Sequence, residues 1–501
     1  MGGVLESLAY GFSVSLAPGN LLACFLGVLV GTVIGLLPGL GPVATMSLLL
    51  PLTLRMGPTA AIIMLAGVFY GAMYSGSTTA ILLNIPGEAA SVVSCLDGYK
   101  MAQQGRAGPA LAICAWGSFF AGTLGVAGMT LMAPPLAQAA LAFGPPEITA
   151  ILILSFALVI GFAGGSRARA GAMALLGLLL STVGLDPVES TPRFDLGTFT
   201  LLDGVGFAPL VIGLFGISEV LLNLEAPGGG AGYQGRIGSL WPTRQDWRVA
   251  APAIGRGSGL GFFLGILPGM GTIVPTFLSY SLERRLSRQP ERFGEGAIEG
   301  VAGPESANNA ATAGSMIPLL TLGIPPSAAV AVLAAGFLMH GVPPGPLLLA
   351  EHPALFWGVV TSMYTGNVLL LLLNLPLVGL WARLITIPYR YLFPVILLLC
   401  AVGAYSVGNN PWDVVLMALF GLLGYVLRKL DFPPAPLILA FVLGRLLEET
   451  VRQSLARSRG SFGIFVAHPV AQVAWAGAAI LVLAPAVARL RRPAPARRSP
   501  P

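Results

Sequence analysis

Glu305, Asn308, Thr312 and Ser315 fall at i, i+3, i+7 and i+10 in an alanine-rich run, so they share one face of a helix, with Asn309 beside it. Ionisable and amide groups in apolar surroundings are costly and mark ion or solute paths there. Glu305 is the candidate cation-coupling group, and Asn308 and Asn309 are candidate substrate contacts. The first half of the chain has a neutral counterpart, Tyr74-Ser75-Gly76-Ser77-Thr78-Thr79, followed by Asn84-Ile85-Pro86-Gly87-Glu88. The hydroxyls of Ser75, Ser77 and Thr78 and the amide of Asn84 suit a carboxylate or Na⁺, with Gly76 among them. Hydroxyls in apolar helices also bond back to the carbonyl at i−4, and only their clustering before Pro86 favours a site.

Two further motifs interrupt apolar stretches: Gly35-Leu-Leu-Pro38-Gly39-Leu-Gly41-Pro42 and Gly265-Ile-Leu-Pro268-Gly269-Met-Gly271-Thr272. Proline removes an amide donor and glycine tolerates unusual backbone angles. A helix broken at membrane depth survives only inside protein or against a water-filled cavity. Its freed N–H groups, at the positive end of the following half-helix, bind carboxylates. The structural alternative is a kinked packing helix, which the Gly27/Gly31/Gly35 ladder also suits. Recurrence of the break in both halves favours binding.

The elements that carry these residues must be membrane helices. The chain has 501 residues, 55% hydrophobic and 10% charged, with a mean hydropathy of +0.82. A soluble domain carries about 25% charged residues, so a soluble enzyme, a disordered chain and a secreted disulfide scaffold are excluded. The formal charge of +6 resides largely in loops and in an Arg-rich end, which makes nucleic acid a poor partner. Only Lys100 and Lys429 are lysines, so no Gly-Lys-Ser/Thr phosphate loop exists. Cys24, Cys95, Cys114 and Cys400 are far apart and read as packing residues, and His340, His352 and His468 have no ligand spacing. No catalytic constellation, metal site or cofactor motif stands out, and the chain reads as a non-enzyme. The first 20 residues lack a positive leader, and no removable signal peptide is expected. Apolar stretches from 20–37 through 464–488 predict an all-α polytopic membrane protein with about 11–13 transmembrane helices. Shorter runs at 42–54, 75–86, 271–282 and 305–324 predict broken or re-entrant pieces.

The chain repeats itself. Gly27, Gly31, Gly35, Pro38, Gly39 and Gly41 recur 230 positions later as Gly257, Gly261, Gly265, Pro268, Gly269 and Gly271. Ile85-Pro-Gly-Glu-Ala-Ala recurs 239 positions later as Ile324-Pro-Pro-Ser-Ala-Ala. The expected organisation is a first repeat half (1–224), a polar linker (225–249), a second half (250–488) and a basic Pro/Arg tail (489–501). Loop cations swap sides between the copies. Arg55 stands against Lys100 and Arg106 in the first, while Arg284, Arg285, Arg288 and Arg292 stand against none in 326–352 in the second. Because Lys and Arg collect on the cytoplasmic side, the two halves are expected to be inverted-topology repeats, a layout of secondary transporters.

At this point a resemblance becomes specific. Gly35-Leu-Leu-Pro-Gly-Leu-Gly-Pro, Asn84-Ile-Pro-Gly-Glu, Asp97-Gly-Tyr-Lys-Met-Ala and Gly105-Arg-Ala-Gly, with Glu299-Gly-Val-Ala-Gly-Pro-Glu-Ser-Ala-Asn-Asn-Ala-Ala and Leu322-Gly-Ile-Pro, resemble the large membrane subunit of the tripartite tricarboxylate transporters (TctA type). Pro326, where glycine is usual, and Tyr74-Ser75-Gly76, where Gly-Gly is common, depart from that pattern. The resemblance implies a multi-pass permease of the bacterial inner (plasma) membrane, working with a small membrane subunit and a periplasmic solute-binding protein. It would import citrate, other tricarboxylates or related carboxylates by symport with H⁺ or Na⁺. A carboxylate channel or facilitator without gradient coupling would use the same lining. On the symport reading the substrate lies between the Pro38 and Pro268 elements, with Pro38, Gly39, Gly41, Ser75, Gly76, Ser77, Thr78, Asn84, Pro268, Gly269, Gly271, Thr272, Asn308 and Asn309 around it.

Overall fold

A computed structural model describes residues 3–37, 41–162, 166–187, 189–198, 201–225, 237–384 and 389–490. The helices of the first half are α1 (Val4–Ser15), α2 (Pro18–Gly35), α3 (Pro42–Thr53), α4 (Pro58–Leu83), α5 (Val92–Gln103), α6 (Ala107–Ala140), α7 (Pro145–Phe162), α8 (Arg167–Ser181) and α9 (Phe207–Glu225). The second half contributes α10 (Arg244–Ile266), α11 (Ile273–Leu286), α12 (Glu299–Leu322), α13 (Ala328–Met339), α14 (Pro353–Asn374), α15 (Val378–Leu384), α16 (Tyr389–Gly408), α17 (Pro411–Lys429), α18 (Ala435–Arg457) and α19 (Pro469–Leu490). Proline opens α2, α3, α4, α14 and α17, where its missing N–H costs nothing and its fixed φ suits a first turn. A two-stranded antiparallel ribbon, Gly184–Leu185 with Pro192–Arg193, is the extended structure among the described residues.

Eight of these helices are long and apolar enough to cross a membrane. Shorter apolar helices, α3 and α13 among them, accompany these eight, where hydropathy led to an expectation of 11–13 spans. The chain is thus an all-α, multi-pass membrane protein. The helix α10 starts at Arg244, inside the stretch expected as linker. Its start is fixed by a capping box in which Thr243 accepts from the Asp246 N–H and the Asp246 carboxylate accepts from the Thr243 N–H. Of the expected linker, 226–236 lies outside the described residues, as does 491–501 of the tail.

At the centre stand α4 and α12, almost wholly buried, so the polar residues of α12 meet protein rather than lipid. Each is flanked by a glycine ladder. A Cβ on Gly27, Gly31 or Gly35 of α2 would strike the carbonyls of Met64, Val68 and Ala72 on α4, and one on Gly257, Gly261 or Gly265 of α10 would strike those of Gly303, Ala307 and Ala311 on α12. Backbone contact this close is available to glycine alone. The α4 partners map onto the α12 partners with the 239-residue shift read from the sequence, so the two helix pairs pack at matching positions.

The halves also tie to each other. Asp97 of α5, fully buried, accepts from the N–H groups of Gly294, Gly296 and Ala297 (2.8–2.9 Å) and from Tyr280 Oη (2.9 Å). Gln104 Nε2 donates to the Glu295 carbonyl (2.8 Å). Elsewhere His340 Nε2, after α13, lies 3.2 Å from Thr53 Oγ1, at the end of α3. In both places the segment following a Pro-containing break in one half meets the segment preceding the central helix of the other.

Candidate functional site

Each central helix ends on a residue in the left-handed conformation: Asn84 (φ 58°) for α4 and Gly323 (φ 71°) for α12. Glycine takes this cap without strain and asparagine is the usual substitute. Proline then prevents continuation, and a new helix starts. Glu88 caps the turn Ala89–Ser91 that leads into α5, accepting from the Ala90 N–H at 2.6 Å. At the equivalent place Ser327 caps α13, accepting from the Val330 N–H at 3.4 Å. The other two breaks are the glycine tips before α3 and α11. Gly269 (φ 82°) and Gly271 (φ 55°) turn the second tip, and the Gly269 N–H donates to the Pro326 carbonyl at 2.9 Å. Arg256 and Glu283, ten residues back and ten residues on from the ends facing that tip, form an ion pair. The helices α10 and α11 are therefore the two arms of a hairpin.

All four breaks line one cavity of about 640 Å³, through Gly41–Ala44, Pro86–Ala89, Gly269–Val274 and Pro326–Ala329. That volume is typical of a small-molecule site. The starts of α3, α11 and α13 and the Glu88-capped turn before α5 thus meet at one space, and the three helix starts turn their positive dipole ends to it. At α3 and α11 no side chain caps the first turn, so the N–H groups of Val43, Ala44, Ile273 and Val274 are left for a ligand. The wall carries three charged side chains among the described residues: Glu88, Glu219 and Arg428. Its remainder is largely apolar, with Phe69, Met73, Phe162 and Phe215.

Behind the cavity lies a buried polar chain. Asn308 Nδ2 donates to Glu88 Oε1 at 3.2 Å and to the Met73 carbonyl at 3.1 Å. One turn earlier on α12, Glu305 is 1% exposed. Its Oε1 accepts from Ser118 Oγ (3.2 Å) and Asn309 Nδ2 (3.1 Å), and its Oε2 accepts from Ser94 Oγ (3.4 Å). No cation touches either carboxylate among the described residues. Among the described residues Asn308 Oδ1 is buried without a partner, an uncommon arrangement in a folded interior. Two carboxyls are thus held by neutral donors, one facing the cavity and one behind it.

Of the residues singled out by sequence, Gly41, Gly269, Gly271 and Thr272 line the cavity, and Pro268 lies in the same tip. Pro38 and Gly39 lie outside the described residues. Asn308 reaches the wall through Glu88, while Asn309 and Glu305 sit deeper. The hydroxyls of Ser75 and Ser77 bond back to the carbonyls of Gly71 and Tyr74, the local pairing open to any helical serine. Gly76 packs under Glu88, Thr78 faces a separate small void beside Cys114 and Asn374, and Asn84 is an exposed cap. Four polar residues of the wall stood outside that reading: Glu88, Ser327, Glu219 and Arg428. The alignment of Glu88 with Ser327 in the repeat was the signal for the first two. For Glu219 and Arg428 no local spacing carries the information, since packing alone brings α9 and α17 to the cavity.

The profile of a family described as "Tripartite tricarboxylate transporter TctA family" matches residues 21–439. A 52.8 kDa Agrobacterium vitis protein of the TAR-I ttuC′ 3′ region, itself uncharacterized, is 48% identical over 468 residues, 93% of each chain. A second Agrobacterium vitis protein, from the TAR-II ttuC′ 3′ region, is 54% identical over 211 residues, 42% of this chain and 87% of its own. No solved structure matches the chain.

Proposed function

Since this chain belongs to the Tripartite tricarboxylate transporter TctA family, a family of membrane transporter components that work with partner subunits, we propose that it is the large permease subunit of a binding-protein-dependent secondary transporter. It imports a tricarboxylate or related carboxylate across the bacterial inner membrane by symport with H⁺ or Na⁺. The observation that carries this reading is the convergence of three helix starts and a capped turn from two duplicated halves on one cavity. An anion there is held by the N–H groups of Val43, Ala44, Ile273 and Val274 and by the summed dipoles. Glu88 stands in the same wall and repels an anion unless its charge is neutralised. A proton or Na⁺ taken up at Glu88, which Asn308 contacts, or at Glu305, which the neighbouring Asn309 contacts, therefore accompanies the substrate, which is the physical content of symport.

The repeats are read as inverted. What supports this is the swap of loop cations between the copies, together with a reciprocal pairing of the halves: Asp97 and Gln104, after the break of the first half, hold the loop before α12, while His340, after the break of the second, meets the end of α3. Rocking of one half against the other about the cavity then opens it to each face in turn. The small membrane subunit and the periplasmic binding protein supply assembly and substrate delivery.

The test is uptake of labelled citrate and other carboxylates into proteoliposomes holding this chain with its small subunit, with and without binding protein, under an imposed Na⁺ or H⁺ gradient. Uphill uptake that needs both gradient and binding protein is the expected result. Equilibration indifferent to the gradient identifies a facilitator instead.

A further inference from the structure

The cavity wall has one cation among the described residues, Arg428, near the end of α17. Its guanidinium carbon lies 5.6 Å from the centre of the Phe215 ring, and its Nη1 donates to Glu219 Oε2. Phe215 belongs to the π-helical segment Ile212–Ile217 of α9 and Glu219 follows it, so the ion pair joins α9 to α17 at the rim of the cavity. Arg428 and Glu219 are 21% and 25% exposed in their side chains.

Like Arg106, Arg169 and Arg445, which each meet a carboxylate through one nitrogen, Arg428 leaves part of its fork free, but it alone of these lines the cavity. Arg193 grips Glu448 through Nη1 and Nη2, Arg452 grips Asp186 through the same two atoms, and Arg256 grips Glu283 through Nε and Nη2. Those are two-pronged pairs that commit the guanidinium. Arg428 offers Glu219 one prong, and among the described residues its Nε and Nη2 donors have no hydrogen-bond partner. A planar fork with its second prong free, stacked on an aromatic face and set in the wall of an anion-binding cavity, is shaped for a carboxylate. Lys429, one residue on, is not in the wall and pairs outward with Glu225.

We propose that Arg428 binds a second carboxylate of the substrate while the first sits on the uncapped starts of α3 and α11, and that Glu219 occupies part of the guanidinium until substrate displaces it. The inference rests on the carboxylate reading above and deepens it, because Arg428 makes the site prefer di- and tricarboxylates to monocarboxylates. Glu219 is an internal competitor of the substrate, and the Phe215 ring keeps the guanidinium facing the cavity in both states.

The probes are citrate, succinate and lactate, titrated by calorimetry onto the full chain with its small subunit in lipid nanodiscs, in Na⁺ buffer at mildly acidic pH so that either coupling ion is present, and without binding protein so that its selectivity does not intervene. The wild type is expected to bind citrate and succinate more tightly than lactate. Arg428→Gln should weaken the first two about tenfold or more, the cost of a charged hydrogen bond, and leave lactate within about twofold, while Arg428→Lys recovers part of the loss. Glu219→Gln should tighten citrate several-fold, roughly the effect of freeing a competed fork. An unchanged citrate-to-lactate ratio in Arg428→Gln overturns the proposal. So does weaker citrate binding in Glu219→Gln, which also decides the matter if Arg428→Gln fails to fold. A wild type that binds none of the three anions overturns the carboxylate reading itself, a result distinct from normal citrate binding that ignores Arg428.

Discussion

At the scale of single residues, the proposed site works by sign. On that proposal the helix starts attract an anion, and two buried carboxyls, Glu88 and Glu305, oppose it until a cation joins them. Glu305 is held by Ser94, Ser118 and Asn309 and by no counter-charge among the described residues, so its protonated and ionised forms keep the same partners. Glu305→Gln, which preserves those hydrogen bonds, is expected to abolish accumulation against a gradient while exchange of labelled for unlabelled substrate persists. Unchanged accumulation would remove Glu305 from coupling. Asn308→Ala takes away the donor between Glu88 and the Met73 carbonyl, and uptake should fall at least about tenfold, the consequence of stranding a buried charged acceptor. The spacing of Glu305, Asn308 and Asn309 made this face readable from sequence. Asn84, Ser75, Ser77 and Thr78 are of the same residue types, yet the first caps a helix and the serines bond to their own helix. Composition does not separate a polar group aimed at a ligand from one satisfied locally.

At the scale of elements, the two glycine ladders are the frame. Gly31 faces Val68 on α4 as Gly261 faces Ala307 on α12, and in each the obstacle is a backbone carbonyl, which cannot swing aside. Alanine gains helix propensity of about 1 kcal/mol over glycine, but forced separation of packed helices costs roughly 1–3 kcal/mol. Gly31→Ala and Gly261→Ala should therefore both lower the melting temperature in detergent and do so to similar extents. A stabilising effect in either would mean that the helix pair relaxes freely there. Loss of the Thr243 cap should cost about 1 kcal/mol and be seen as a smaller drop for Thr243→Ala. The ladders and tips were legible because Gly and Pro at fixed intervals have few other uses in apolar helices. The cavity's far wall was not, because α9 and α17 belong to no repeated motif and reach the site through packing with one another.

At the scale of the whole molecule, the account is of two halves that cross at a shared centre. If the halves are inverted, cysteines placed at Arg288 and at Leu338, in a background lacking Cys95, should label with an impermeant reagent from opposite faces of the membrane. Labelling from one face would make the duplication parallel and remove alternating access by exchange of equivalent halves. The central claim, that substrate occupies the space between the four breaks, is tested most directly at Ser327, which lines the cavity and caps α13 through a 3.4 Å bond. The measurement is modification of a Ser327→Cys variant by a small thiol reagent applied to either side of proteoliposomes, with and without a saturating transported carboxylate and its coupling ion. The account predicts labelling from both sides as the cavity opens to each, and protection by substrate only when the ion is present. Labelling at the same rate with substrate and ion bound would contradict it.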